Sequence, residues 1–160
     1  MELSCPRCGK DFVRRTPREG TLEQLLSLAY IYPFRCQLCT HRFRSMEWGK
    51  RYDKQTSEKR QYERLASNIP ASFSGGDQEG NGVVTDISMG GCGLETDASL
   101  TEGALLELRL FVSDQQPPIT AESVVRSVRS KFAGLQFLRF QPEGKDRLSQ
   151  LIRELISTRR

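Results

Sequence analysis

Four of the five cysteines in this 160-residue chain fall into two C-x-x-C pairs, Cys5-Pro-Arg-Cys8 and Cys36-Gln-Leu-Cys39, while Cys92 stands alone. A C-x-x-C pair lets one tight turn present two thiolates to a single ion, about 2.3 Å from a Zn2+. Two pairs complete a tetrahedral shell with no open position, so the residues point to a structural zinc held by Cys5, Cys8, Cys36 and Cys39. The interval between the pairs is 27 residues (9 to 35), longer than the usual ribbon spacing of roughly 15–20. A redox C-x-x-C, which wants a βαβ setting, and an iron site are the competing readings. His41, the single histidine, follows Cys39 by two residues and reads as a solvent-facing ring before it reads as a substitute ligand.

A second constellation lies downstream. Arg60-Gln-Tyr-Glu-Arg64 sets two guanidinium groups four residues apart, and Asp86-Ile-Ser-Met-Gly-Gly91 follows after 21 residues as D-x-S-x-x-G. R-x-x-x-R by itself is weak, since Arg14 and Arg18 match it too. In this order, at the end of an expected strand, the two motifs resemble the PilZ domain family, bacterial receptors for cyclic di-GMP. The resemblance runs from Lys59 to the C-terminal helix and takes in Gly90-Gly91-Cys92-Gly93-Leu94 and Gly134-Leu-Gln-Phe137. It implies a six-stranded barrel with a C-terminal helix, and a cyclic di-GMP site at Arg60, Arg64, Asp86, Ser88, Gly90 and Gly91. The chemistry suits that ligand. Arginine's planar fork matches phosphate oxygens and guanine O6 and N7. Asp86 can accept from guanine's N1–H and amine, Ser88 can donate to a phosphate or base edge, and the glycines allow close backbone approach.

These groups need elements to hold them. Period-two and turn signals predict strands at Ile69–Ser74, Gly82–Ile87, Gly93–Thr96, Ala104–Val112, Ile119–Ser130 and Gly134–Phe140. Leu106, Leu108, Leu110 and Val112 form one strand face, and Leu148, Leu151, Ile152, Leu155 and Ile156 stripe a helix opened by Pro142. The expected fold is mainly β: a small antiparallel barrel with a packed C-terminal helix, plus an N-terminal zinc ribbon. Residues 1–49 form the ribbon, 50–58 (KRYDKQTSE) a polar linker, and 59–160 the barrel. Within the ribbon, Leu22 to Tyr32 reads as one or two amphipathic helical turns, and Phe12, Phe34 and Phe43 as a small core beside the metal. Cys92 reads as a small buried residue.

Composition narrows the function. The net charge of +4 splits into +6 for residues 1–70 (14 basic, 8 acidic) and −2 for the remainder (10 basic, 12 acidic). An anionic partner is therefore met at the N-terminal end if anywhere. Arg7, Lys10, Arg14, Arg15, Arg18, Arg35, Arg42 and Arg44 can reach phosphates, but they read first as solvated charges. A nucleic-acid-binding ribbon with the barrel as scaffold, and a protein-docking adaptor, stand as alternatives. No catalytic Ser-His-Asp set or phosphate-loop motif is present, and a closed four-cysteine site has no place for a metal-bound water, so an enzyme is not expected. No apolar run reaches the ~20 residues of a membrane span, and no signal peptide is visible, so the expected compartment is the cytoplasm. The two arginines, with only Glu58 and Glu63 near them in sequence, are expected to repel and leave residues 50–64 mobile until a doubly anionic ligand orders them. That ordering would change how the ribbon sits and pass the signal to a protein partner.

Overall fold

Short β-prone runs flank each cysteine knuckle and pair with one another. In the computed structural model, which describes residues 3–51 and 61–159, Val13–Arg15 (β1), Ile31–Cys36 (β2) and Arg42–Met46 (β3) form an antiparallel sheet in the order β1-β2-β3. The register sets Val13 opposite Cys36 and Phe34 opposite Phe43, whose rings lie 6.0 Å apart. Successive residues of a strand face opposite ways. The other face therefore carries Arg14, Arg35 and Arg42 in one cross-strand row.

Between β1 and β2, Gly20–Leu28 forms a helix, α1. The expected helical stretch ends sooner than read: Tyr30 takes a left-handed backbone (φ 59°) and Ile31 already begins β2. The orientation of α1 also departs from the usual rule. Its apolar stripe faces solvent, with Leu22 and Leu25 58% and 64% exposed, while Glu23 is buried. Glu23 accepts from the Arg42 guanidinium at 2.8 Å, from Arg44 at 3.3 Å and from the Glu19 backbone N–H at 2.7 Å. Burial pushes the Glu23 carboxyl up, but the Glu19 N–H and the arginines outweigh it and hold it below the usual range.

The remaining strands close into a barrel. They are Leu65–Gly75 (β4), Gln78–Ser88 (β5), Gly91–Glu95 (β6), Leu105–Leu110 (β7), Ile119–Arg129 (β8) and Phe132–Phe140 (β9), in the order β4-β5-β6-β9-β8-β7, with β4 pairing β7 to complete the ring. All six expected strands are present, and β4, β5, β6 and β9 begin earlier than expected. Leu106, Leu108 and Leu110 point inward as read, whereas Val112 lies past the end of β7 and is 37% exposed. Ile87, Leu94, Ile119, Val125 and Leu135 fill the interior, and Cys92 is buried there as a small residue, its thiol pushed up to about 12 by burial. The C-terminal helix, Gly144–Thr158 (α2), buries Leu148, Leu151 and Ile152 and packs on β8 and β4.

The described chain thus consists of two compact units, Met1–Glu63 and Arg64–Arg160. Of the expected linker, residues 52–58 lie outside the described residues.

Candidate functional site

The four cysteines expected to hold metal converge. Cys5 and Cys39 sulfurs lie 3.6 Å apart, Cys8 and Cys36 sulfurs lie 3.6 Å apart, and all four fall within 4.8 Å of one another. A tetrahedral ion with bonds of about 2.3 Å separates its sulfurs by about 3.8 Å, so the donor set fits zinc. Backbone N–H groups of Leu38 and Cys39 point at the Cys36 sulfur at 3.5 and 3.4 Å, as a thiolate ligand requires. With no cation, burial pushes the Cys36 thiol up to about 12 and raises that of Cys39. At Cys5 burial also acts upward, but the backbone N–H groups of Cys8 and Arg7 prevail and its thiol is lowered. The site belongs to the second knuckle and the loop before β1. His41 stands outside the sulfur cluster, its ring stacked on Phe43 at 6.2 Å.

In the barrel, Arg64 and Asp86 meet. The guanidinium Nη1 lies 2.7 Å from Asp86 Oδ1, and both side chains keep partial access to water (27% and 36%). Beyond Glu58 and Glu63, the acids near the arginines in sequence, Arg64 has a counter-ion in Asp86, brought by β5. Two irregularities flank that carboxylate, one between Ala66 and Ile69 in β4 and one between Val84 and Asp86 in the β5–β6 ladder. Such bulges re-aim side chains. The Ser67 hydroxyl fixes the first by donating to the Val84 carbonyl at 2.8 Å.

Ser88, Gly90 and Gly91 build the two-residue turn from β5 into β6. Ser88 is buried, and its hydroxyl donates to the Gly91 carbonyl at 3.2 Å while accepting the Gly90 N–H at 3.3 Å. A side chain at Gly91 would strike the Leu135 carbonyl, so this glycine admits the close approach of β9. Arg60 lies outside the described residues.

Gly93, which was not among the expected site residues, lies against the Asp86 carboxylate. It pairs with Asp86, and a Cβ there would collide with the Asp86 carboxylate. Gly93 in turn faces Gly134 on β9, which faces Ser127 on β8. Asp86 and Ser127 therefore bound a floor of two side-chain-free residues on the outer face of the barrel. The signal was available as two glycines inside strands, where glycine weakens a strand and marks close approach.

Comparison with known proteins bears on this arrangement. The PilZ domain family profile matches residues 58–154. No curated protein matches the sequence. Among solved structures, the Bacillus subtilis inhibitor of motility MotI/DgrA shares 22% identity at a TM-score of 0.53, over 63% of this chain and 53% of its own. The PilZ domain of Escherichia coli YcgR, solved with c-di-GMP, shares 17% identity at a TM-score of 0.53, over 64% of this chain and 95% of that domain. A longer form of the same Escherichia coli protein, also with c-di-GMP, gives 16% and 0.51 over 87% of this chain and 72% of its own. The present chain spans about half the length of the inhibitor of motility. At these identities the likeness is one of fold.

Proposed function

The chain belongs to the PilZ domain family, a cyclic di-GMP receptor fold whose members are typically non-catalytic, and on that premise we propose that it is itself a cyclic di-GMP receptor that passes the signal to a protein partner. The ligand-binding residues proposed are Arg60, Arg64, Asp86 and Ser88 with the turn glycines Gly90 and Gly91. The observation that carries the reading is the Arg64–Asp86 pair at the end of β5. It holds a phosphate-binding group and a base-reading group side by side with both partly wet.

Binding then is an exchange of partners. A ligand phosphate draws the Arg64 fork, and the Asp86 carboxylate so released accepts from guanine's N1–H and amine. Ser88, hydrogen-bonded within its turn, shapes the loop that carries Gly90 and Gly91. The cysteine cluster is proposed to hold one structural zinc. The ribbon of residues 1–49, joined through 50–58 to the barrel of 59–160, is proposed as the output surface, its arrangement dependent on ligand. The outward leucines of α1, together with Trp48 at 80% exposure, support a protein-facing role. The proposed site of action is the cytoplasm, and no described helix is long and apolar enough to cross a membrane.

Titration calorimetry tests the reading. Cyclic di-GMP should bind the native chain, and Arg60→Ala or Arg64→Ala should each weaken it by about 2 kcal/mol, because charged acceptors lose their partner. Melting temperature should barely move. Equal affinity in both variants would remove the assigned roles, and binding of duplex DNA in place of the nucleotide would favour the nucleic-acid alternative.

A further inference from the structure

Gln37 occupies the first position between the paired cysteines of the second knuckle, Cys36-Gln-Leu-Cys39, and its side chain is used in an unusual way. It is only 4% exposed, and its amide is spent on backbone. Its Nε2 donates to the Arg35 carbonyl at 3.3 Å and to the Gln61 carbonyl at 3.2 Å, while its Oε1 accepts the Glu63 N–H at 2.7 Å. Next to it, the Arg35 guanidinium donates to the Tyr62 hydroxyl at 3.3 Å and lies 5.7 Å over the Tyr62 ring. Three consecutive residues, Gln61, Tyr62 and Glu63, are therefore each gripped by Gln37 or Arg35, 24 to 27 positions earlier in sequence.

Those three residues are the whole spacer of Arg60-Gln-Tyr-Glu-Arg64. We infer that Gln37, assisted by Arg35, is a positioning residue for cyclic di-GMP: the cysteine knuckle clasps the arginine spacer and presets it for the ligand. This rests on the receptor reading above and adds to it the part of the chain that holds the residues leading into Arg64. The physical basis is preorganisation. Ordering one residue's backbone on binding lowers affinity by roughly tenfold, and a spacer ordered beforehand escapes that loss. A buried amide with three satisfied contacts has no comparable alternative partners, so the clasp is specific rather than a loose surface contact.

The placement within the knuckle has a further effect. Gln37 follows a metal ligand directly, and its own N–H donates to the Phe12 carbonyl at 2.9 Å, beside the first knuckle. The direction of its side chain is thus set by the fold of the cysteine cluster. Whatever keeps that cluster closed also keeps the spacer seated.

The test uses the full chain and the near-isosteric Gln37→Met, which keeps the side-chain volume and removes all three amide bonds. Cyclic di-GMP affinity should fall about tenfold, zinc content should stay at the native level, and the Glu63 amide should lose protection from hydrogen exchange. Tyr62→Ala, which removes Arg35's hold on the spacer without touching the knuckle, should weaken affinity severalfold and guards against a folding defect in the first variant. Native affinity in both variants, with native zinc content, overturns the inference and leaves the receptor reading standing. Absence of cyclic di-GMP binding by the native chain overturns the receptor reading and this inference together.

Discussion

Leu25 and Leu135 are the same side chain in opposite circumstances. Leu135, in β9, is 1% exposed among the apolar residues of the barrel, whereas Leu25, on the stripe of α1, is 64% exposed. In the barrel, alternation along six strands supplies the cohesion, and polar groups sit at the ends and on the outer face. In the ribbon, sulfurs, a carboxylate and an amide share the interior with a few apolar side chains: Cys5, Cys36, Glu23 and Gln37 are buried alongside Tyr32, Phe34 and Leu38. The barrel is held chiefly by exclusion of water from apolar surface, whereas the ribbon adds directed bonds among buried polar groups to a small apolar core. The difference teaches that apolar periodicity predicts burial only where nothing stronger competes. Glu23, with two guanidinium groups and a backbone N–H to satisfy it, turns α1 over and sends its leucines outward.

The largest expected effect is removal of the metal. Structural zinc contributes roughly 10 kcal/mol or more to small units of this kind, so chelation should unfold the ribbon and leave the barrel's melting transition in place. Elemental analysis should find about one zinc per chain, and a metal-free ribbon as protease-resistant as the native one would break the contrast. Next comes Leu135→Ala, which should destabilise the barrel by about 2–5 kcal/mol in chemical denaturation while zinc content is untouched.

A smaller effect separates two glycines. At Gly93 the obstructing group is the far end of the Asp86 side chain, which can swing away from Arg64. Gly93→Ala should therefore shift barrel stability by less than about 1 kcal/mol yet weaken nucleotide binding severalfold. Gly91→Ala meets the Leu135 backbone carbonyl instead and should show a clear loss of stability in the same denaturation assay. The smallest change belongs to Leu25→Ser, expected within about 0.5 kcal/mol of the native ribbon because its side chain is already in water. A loss comparable to that of Leu135→Ala would mean α1 is not turned outward.

The sequence made the barrel legible because alternation is a local signal and six strands repeated it. Leu106, Leu108 and Leu110 needed no distant information to declare their face. The start of β4 was missed because Ser67 and Asn68 look like loop residues, and only the bulge that Ser67 ties to Val84 makes room for them. The cysteine cluster was legible from spacing alone, whereas the three-stranded sheet around it was not, since β1 has only three residues and two of them are arginines. Of the proposed nucleotide-site residues, Arg64 and Asp86 were legible as members of two separate motifs, but their mutual bond is a product of the tertiary fold. The hold of Gln37 on Gln61 and Glu63 was invisible, because no local pattern marks a side-chain amide that bonds backbone two dozen residues away.

The two sheets also differ in whether they end. Every barrel strand has two partners, so the ring has no terminal strand to offer a second copy. Among the described residues, the ribbon sheet stops at β1 on one side and at β3 on the other, each paired only to β2. Open edges recruit strands from neighbouring molecules, and shortness and positive charge discourage it. Here β1 is three residues long and carries Arg14 and Arg15, while β3 carries Arg42 and Arg44. The arginine excess of the N-terminal end is then a guard against edge-to-edge stacking at high concentration. Its neutralisation, by substitution or by a polyanion, would make the ribbon rather than the barrel the place where the protein begins to aggregate.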